Sequence, residues 1–130
     1  MRETVMVVDD DGDILDLARL VLEGGGYRVI AAASGSDALR TLSGERPDLI
    51  LLDINMPGMD GWQVLRLLKV DERTRAIPVA LFSIKSQVRD RIQALQGDAC
   101  DYIAKPFAMD ELLGRVRHIL DATAGRGGNA

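Results

Sequence analysis

Cysteine is nearly missing from this chain of 130 residues: Cys100 stands alone, which excludes an internal disulfide and a cysteine-built metal cluster and accords with a reducing compartment. Aromatic residues make up only 4% while apolar residues reach 47%, so the core has to be assembled from Leu, Ile, Val and Ala. No apolar run approaches the roughly 18 residues that cross a bilayer, and Met1 to Asp9 lacks the basic and apolar regions of a signal peptide. The expected protein is soluble and cytoplasmic, with no membrane contact. Excess positive charge is also lacking. With a net charge of −4 and a pI near 4.9 there is nothing spare to neutralise phosphates, so this domain is not expected to bind nucleic acid directly, although a separate attached domain could. The length fits one domain able to bury a core without staples.

What is present is an alternation of short apolar runs and amphipathic stretches. Val5 to Val8 reads as a buried strand closing on Asp9, Asp10 and Asp11; a helix follows with Ile14, Leu15, Ala18, Val21 and Leu22 inside, Asp13 as its cap and Gly24 to Gly26 as its end. Tyr27 to Ala31 predicts a second strand, and Ser34 or Ser36 the cap of a second helix. Leu49 to Leu52 is apolar without alternation, as a strand buried on both faces requires, and a third helix carries Val64, Leu65, Leu67 and Leu68. Ile77 to Phe82 predicts strand four, with Pro78 tolerable near its start. A fourth helix is expected from Ser86 through Val88, Ile92 and Leu95, then a short internal strand from Cys100 to Ala104 with Cys100 as an inert core residue, and a last helix with Leu112, Leu113, Val116, Ile119 and Leu120 on one face. The reading is an α/β domain over residues 1–123, its parallel sheet covered on both sides, with a flexible glycine-rich tail or linker over 124–130.

In a parallel sheet the carboxyl ends of the strands share one rim, so Asp9, Asp10, Asp53, Ser83 and Lys105 converge. Three crowded carboxylates repel unless a cation sits among them, and Mg²⁺ accepts such oxygen donors. A strand-end aspartate, a divalent cation, a lysine and a hydroxyl are the parts of phosphoryl transfer, which points to an aspartyl phosphate on Asp53.

Val-Val-Asp-Asp-Asp at 7–11, Leu-Asp-Ile-Asn-Met-Pro-Gly-Met-Asp-Gly at 52–61, Ser83 and Lys-Pro-Phe at 105–107 together resemble the receiver domain of two-component response regulators. The resemblance implies a flavodoxin-like (βα)5 doubly wound sheet of strand order 2-1-3-4-5. It also implies a sensor histidine kinase as phosphodonor to Asp53, and Mg²⁺ at Asp9, Asp10, Asp53 and the backbone carbonyl of Asn55. Ser83 and Lys105 would bind phosphoryl oxygens, Lys105-Pro106 would be cis, and Tyr102 matches the switch aromatic. Such a domain is no enzyme beyond its self-catalysed phosphorylation and dephosphorylation. Its readable output would be the face of helix four, strand five and helix five, offered to a downstream effector or output domain. Arg91, Asp101, Glu111 and Arg115 on that face have charges able to pair in a phosphorylation-dependent homodimer.

Two other readings compete. Asp9 and Asp11 also fit the Asp-x-Asp of a small haloacid-dehalogenase-like phosphatase, though the chain leaves no room for a cap domain, and a receiver can serve as a docking platform without phosphorylation. Ile84 stands where the family usually has a small residue and is expected to alter phosphoryl lifetime. Asp98 replaces the glycine that commonly ends helix four. His118 reads as a surface residue, Trp62 as half-packed scaffold, and Met56 and Met59 as loop packing.

Overall fold

The computed structural model describes residues 2–84 and 99–128, with the side chains of all of these except 83, 84 and 124–128. Five strands, β1 (Thr4–Val8), β2 (Arg28–Ala32), β3 (Leu49–Asp53), β4 (Val79–Ile84) and β5 (Asp101–Lys105), form one parallel sheet in the order β2-β1-β3-β4-β5, the flavodoxin-like arrangement expected. Three helices, α1 (Gly12–Gly24), α2 (Gly35–Leu42) and α3 (Gly61–Val70), alternate with the first strands, and a C-terminal helix spans Met109–Gly128. The predicted fourth helix, with Arg91, Gly97 and Asp98, lies outside the described residues. Among the described residues no helix is long and apolar enough to cross a membrane.

Because successive strand residues face opposite ways, each apolar run feeds two cores. Val5, Val7, Leu49, Leu51, Ala80, Phe82 and Ile103 pack with α1 and with Leu112, Val116, Ile119 and Leu120 of the C-terminal helix. Met6, Val8, Ile50, Leu52, Val79 and Leu81 pack with α2 and α3. This double use explains the unbroken run in β3, where all five residues are buried. Each large buried side chain contributes about 1.5–3 kcal/mol.

Several local expectations shift. Asp11, not Asp13, caps α1: its carboxylate accepts from the Asp13 backbone N–H at 2.9 Å, and Asp13 sits in the first turn beside the positive helix end. β4 starts two residues later than predicted because Ile77 N–H closes a turn onto the Thr74 carbonyl and Pro78 contributes only its carbonyl, to Ile50. Tyr27 precedes β2. Cys100 lies ahead of β5 on the surface, and β5 is an edge strand, so the internal placement was wrong. Desolvation beneath the sulfur and the Asp101 charge still push its thiol up to about 11, which leaves it unreactive at neutral pH. The C-terminal helix runs five residues into the predicted tail, carried by backbone hydrogen bonding beyond Leu120, the last residue of its buried stripe.

Candidate functional site

The register assembles the site. Val8 pairs with Leu52, so Asp9 and Asp53, one residue further on, leave adjacent strands side by side at the same rim. Asp53 pairs with Phe82 and Phe82 with Ile103, so Lys105, two residues further along β5, stands just beyond the level of Asp53 across β4. One ligand oxygen from each of Asp9, Asp10 and Asp53 lies within 4.8 Å of the others. Asp9 and Asp53 are buried, at 0% and 4% exposure, while Asp10 is exposed and forms the solvent side.

Lys105 ties the pocket together. Its Nζ donates to Asp9 Oδ2 at 2.7 Å and lies 3.3 Å from Asp53 Oδ1. Asp9 Oδ1 accepts from the Asp11 backbone N–H at 3.0 Å, and Asp53 Oδ1 accepts from the Asn55 backbone N–H at 3.2 Å. The Lys105-Pro106 peptide is cis. Burial raises Asp53 from the ordinary aspartate range to about 6, with the Asp9 charge adding to it and Lys105 and the Asn55 N–H opposing. Burial would lower Lys105, but its hydrogen bond to Asp9 and the charges of Asp53 and Asp9 outweigh this, and its pKa is raised. The lysine therefore stays protonated.

One ammonium against three carboxylates leaves a net negative pocket of hard oxygen donors, the donor set that suits a divalent cation such as Mg²⁺. Asp11 lies outside this group of carboxylates: it is exposed and its side chain caps α1.

A family model described as the response regulator receiver domain matches residues 5–117. The chain belongs to the receiver domain family. The receiver is 42% identical over 116 residues to the transcriptional regulatory protein PrrA of Mycobacterium tuberculosis, covering 89% of this chain and 49% of that one. It is 40% identical to the DNA-binding dual master transcriptional regulator RpaA of Synechocystis, covering 92% and 49%. The receiver thus spans about half the length of these curated relatives. Among solved structures, a putative response regulator from Chloroflexus aurantiacus superposes with a TM-score of 0.87 at 34% identity, covering 93% of this chain and 99% of that one.

The remaining expected site residues are distributed as follows. Ser83 is in β4 with its backbone opposite Ala104. Tyr102 in β5 is 38% exposed and points outward. Asp101 accepts a two-pronged hydrogen bond from Arg115 Nη1 at 3.0 and 3.1 Å, so these two charges of the expected dimer face already pair within one receiver. Glu111 is exposed in the first turn of the C-terminal helix, and His118 is exposed as expected. Met56 is buried, with Met59 and Trp62 partly buried against the same core.

Sequence reading overlooked the start of α3. Asp60 and Gln63 form a capping box, with Asp60 Oδ1 accepting from Gln63 N–H at 2.9 Å and Gln63 Oε1 from Asp60 N–H at 3.0 Å. The Asp-Gly-Trp-Gln spacing carried that signal. It also overlooked Arg117, which donates to Glu3 at 2.9 and 3.1 Å and to the Tyr27 hydroxyl at 3.2 Å.

Proposed function

We propose that Asp53 is the phosphoacceptor of this receiver and takes its phosphoryl group from a sensor histidine kinase. The observation carrying this is the Lys105 ammonium bridging Asp9 and Asp53 at the rim, within reach of any group esterified to Asp53. The Asp53 carboxylate attacks phosphorus in line, forming a P–O bond as the P–N bond of the donor phosphohistidine breaks and the electron pair leaves with the imidazole. Asp9, Asp10, Asp53 and the Asn55 carbonyl would hold Mg²⁺, which when bound supplies neutralising charge for the transferring phosphoryl oxygens. Lys105 and the Ser83 hydroxyl donate to those oxygens.

The added charge draws Lys105 and Ser83 toward Asp53, and Tyr102 turns inward from its outward position. Phosphorylation shifts a pre-existing equilibrium, since a modification stabilises only the state it interacts with better. The altered face, β5 with the C-terminal helix and the predicted fourth helix, is read by an output domain, as the names of the transcriptional relatives suggest. The domain itself is a signalling module whose only chemistry is its own phosphorylation and dephosphorylation.

Intact mass after incubation with acetyl phosphate and Mg²⁺ tests this. One phosphoryl adduct is expected on the wild type and none on Asp53→Asn. An unmodified wild type would instead favour a docking receiver that works without phosphorylation.

A further inference from the structure

We propose that Gly61 is a positioning residue for phosphoryl transfer: its missing side chain lets the start of α3 seat directly on the backbone of Asp53 and Ile54, which fixes the phosphoacceptor loop. This inference rests on the reading of Asp53 as phosphoacceptor. A Cβ built on Gly61 would overlap the Asp53 carbonyl oxygen and fall 2.7 Å from Ile54 Cα and 3.0 Å from the Asp53 carbonyl carbon. All three obstacles are backbone. The other crowded glycines differ: a Cβ on Gly25 or Gly35 first meets a side-chain methyl, of Leu113 or Val64, and its nearest main-chain atom is 3.3 Å away or more. Among the described glycines, Gly61 alone has main chain inside 3 Å.

The seat is bonded as well as close. Gly61 N–H donates to the Ile54 carbonyl at 3.0 Å, and the capping box of Asp60 and Gln63 holds the helix end rigid immediately before and after it. Residues 54–60 are therefore clamped between the end of β3 and the first turn of α3. Within that clamp the Asn55 N–H donates to Asp53 Oδ1, so the orientation of the attacking carboxylate depends on where the helix start sits. A methyl group at position 61 has to part the strand end from the helix start, and the displacement passes straight to Asp53 and Asn55. Gly61 itself touches no reacting atom.

The test follows Asp53 labelling by intact mass with acetyl phosphate, over a Mg²⁺ titration, at a temperature where circular dichroism shows each variant folded. Gly61→Ala is expected to label roughly 10- to 100-fold more slowly at saturating Mg²⁺, the scale of loss that small misplacements of reacting groups produce. Ile119→Ala, which opens a hole in the opposite core, is expected to label within about threefold of wild type despite its lower stability. A folded Gly61→Ala that labels at the wild-type rate, or an Ile119→Ala slowed equally, overturns the proposal. Where Gly61→Ala does not fold, Asp60→Ala loosens the same seat without adding an atom: slower labelling supports the proposal, and an unchanged rate overturns it. Absence of the adduct on the wild type, or its persistence in Asp53→Asn, defeats the phosphoacceptor reading and this inference with it. Normal Asp53-dependent labelling together with an unaffected Gly61→Ala defeats this inference alone.

Discussion

Burial and the Asp9 charge hold Asp53 at about 6 against the pull of Lys105, so its ionised form is disfavoured by folding. The folded pKa lies above the unfolded one, and the contribution of this group is therefore full below the unfolded value and lost as pH rises through about 6. Asp53→Asn should accordingly be more stable than wild type in metal-free buffer at neutral pH, by about 1–2 kcal/mol once solvent screening is allowed for. Urea unfolding with chelator should show that gap closing as the pH falls toward 4. Lys105 has the opposite role. Its removal leaves Asp9, fully buried, without its ammonium partner, and Lys105→Ala should lose about 3 kcal/mol in metal-free buffer, with Mg²⁺ restoring part of the loss. A Mg²⁺-independent urea midpoint for this variant would mean that the cation does not share the lysine's place among the carboxylates.

At the scale of elements, caps and strand ends matter in different ways. Ser34 Oγ accepts from Asp37 N–H at 3.1 Å to start α2, and Ser34→Ala should cost about 1 kcal/mol while leaving phosphorylation unchanged. Thermal unfolding and adduct formation measured on one sample separate the two. Much of the element order was legible because burial on both faces leaves continuous apolar runs, as in Leu49–Leu52. The meeting of Asp9, Asp53 and Lys105 was legible too, since parallel strands send their carboxyl ends to one rim. Other features depend on three-dimensional detail that a linear pattern does not carry. Asp11 and Asp13 are equivalent as cap candidates until the turn after β1 is known, and Cys100 looks like core until β5 is seen to be an edge. Nor does an apolar count reveal that Gly61 has backbone pressed against it.

At the scale of the whole molecule, the pairing of Asp101 with Arg115 bears on assembly. Charges already bonded within one receiver must separate before they pair across a two-fold axis, and exposed exchanges of this kind gain little. We therefore expect beryllofluoride-loaded protein to dimerise weakly and salt-sensitively, as sedimentation velocity at low and high ionic strength can show; a salt-insensitive dimer would point to apolar contacts instead.

The bridge from Arg117 to Glu3 and Tyr27 has a practical corollary. It fastens the outgoing helix beside the first residues of the opening strand, at the end of the sheet remote from the aspartates. Any fluorophore, tag or module grafted before Thr4 or after the final helix therefore departs from the floor of the domain while the acidic mouth opens from its roof, and labelled versions should remain open to small phosphodonors.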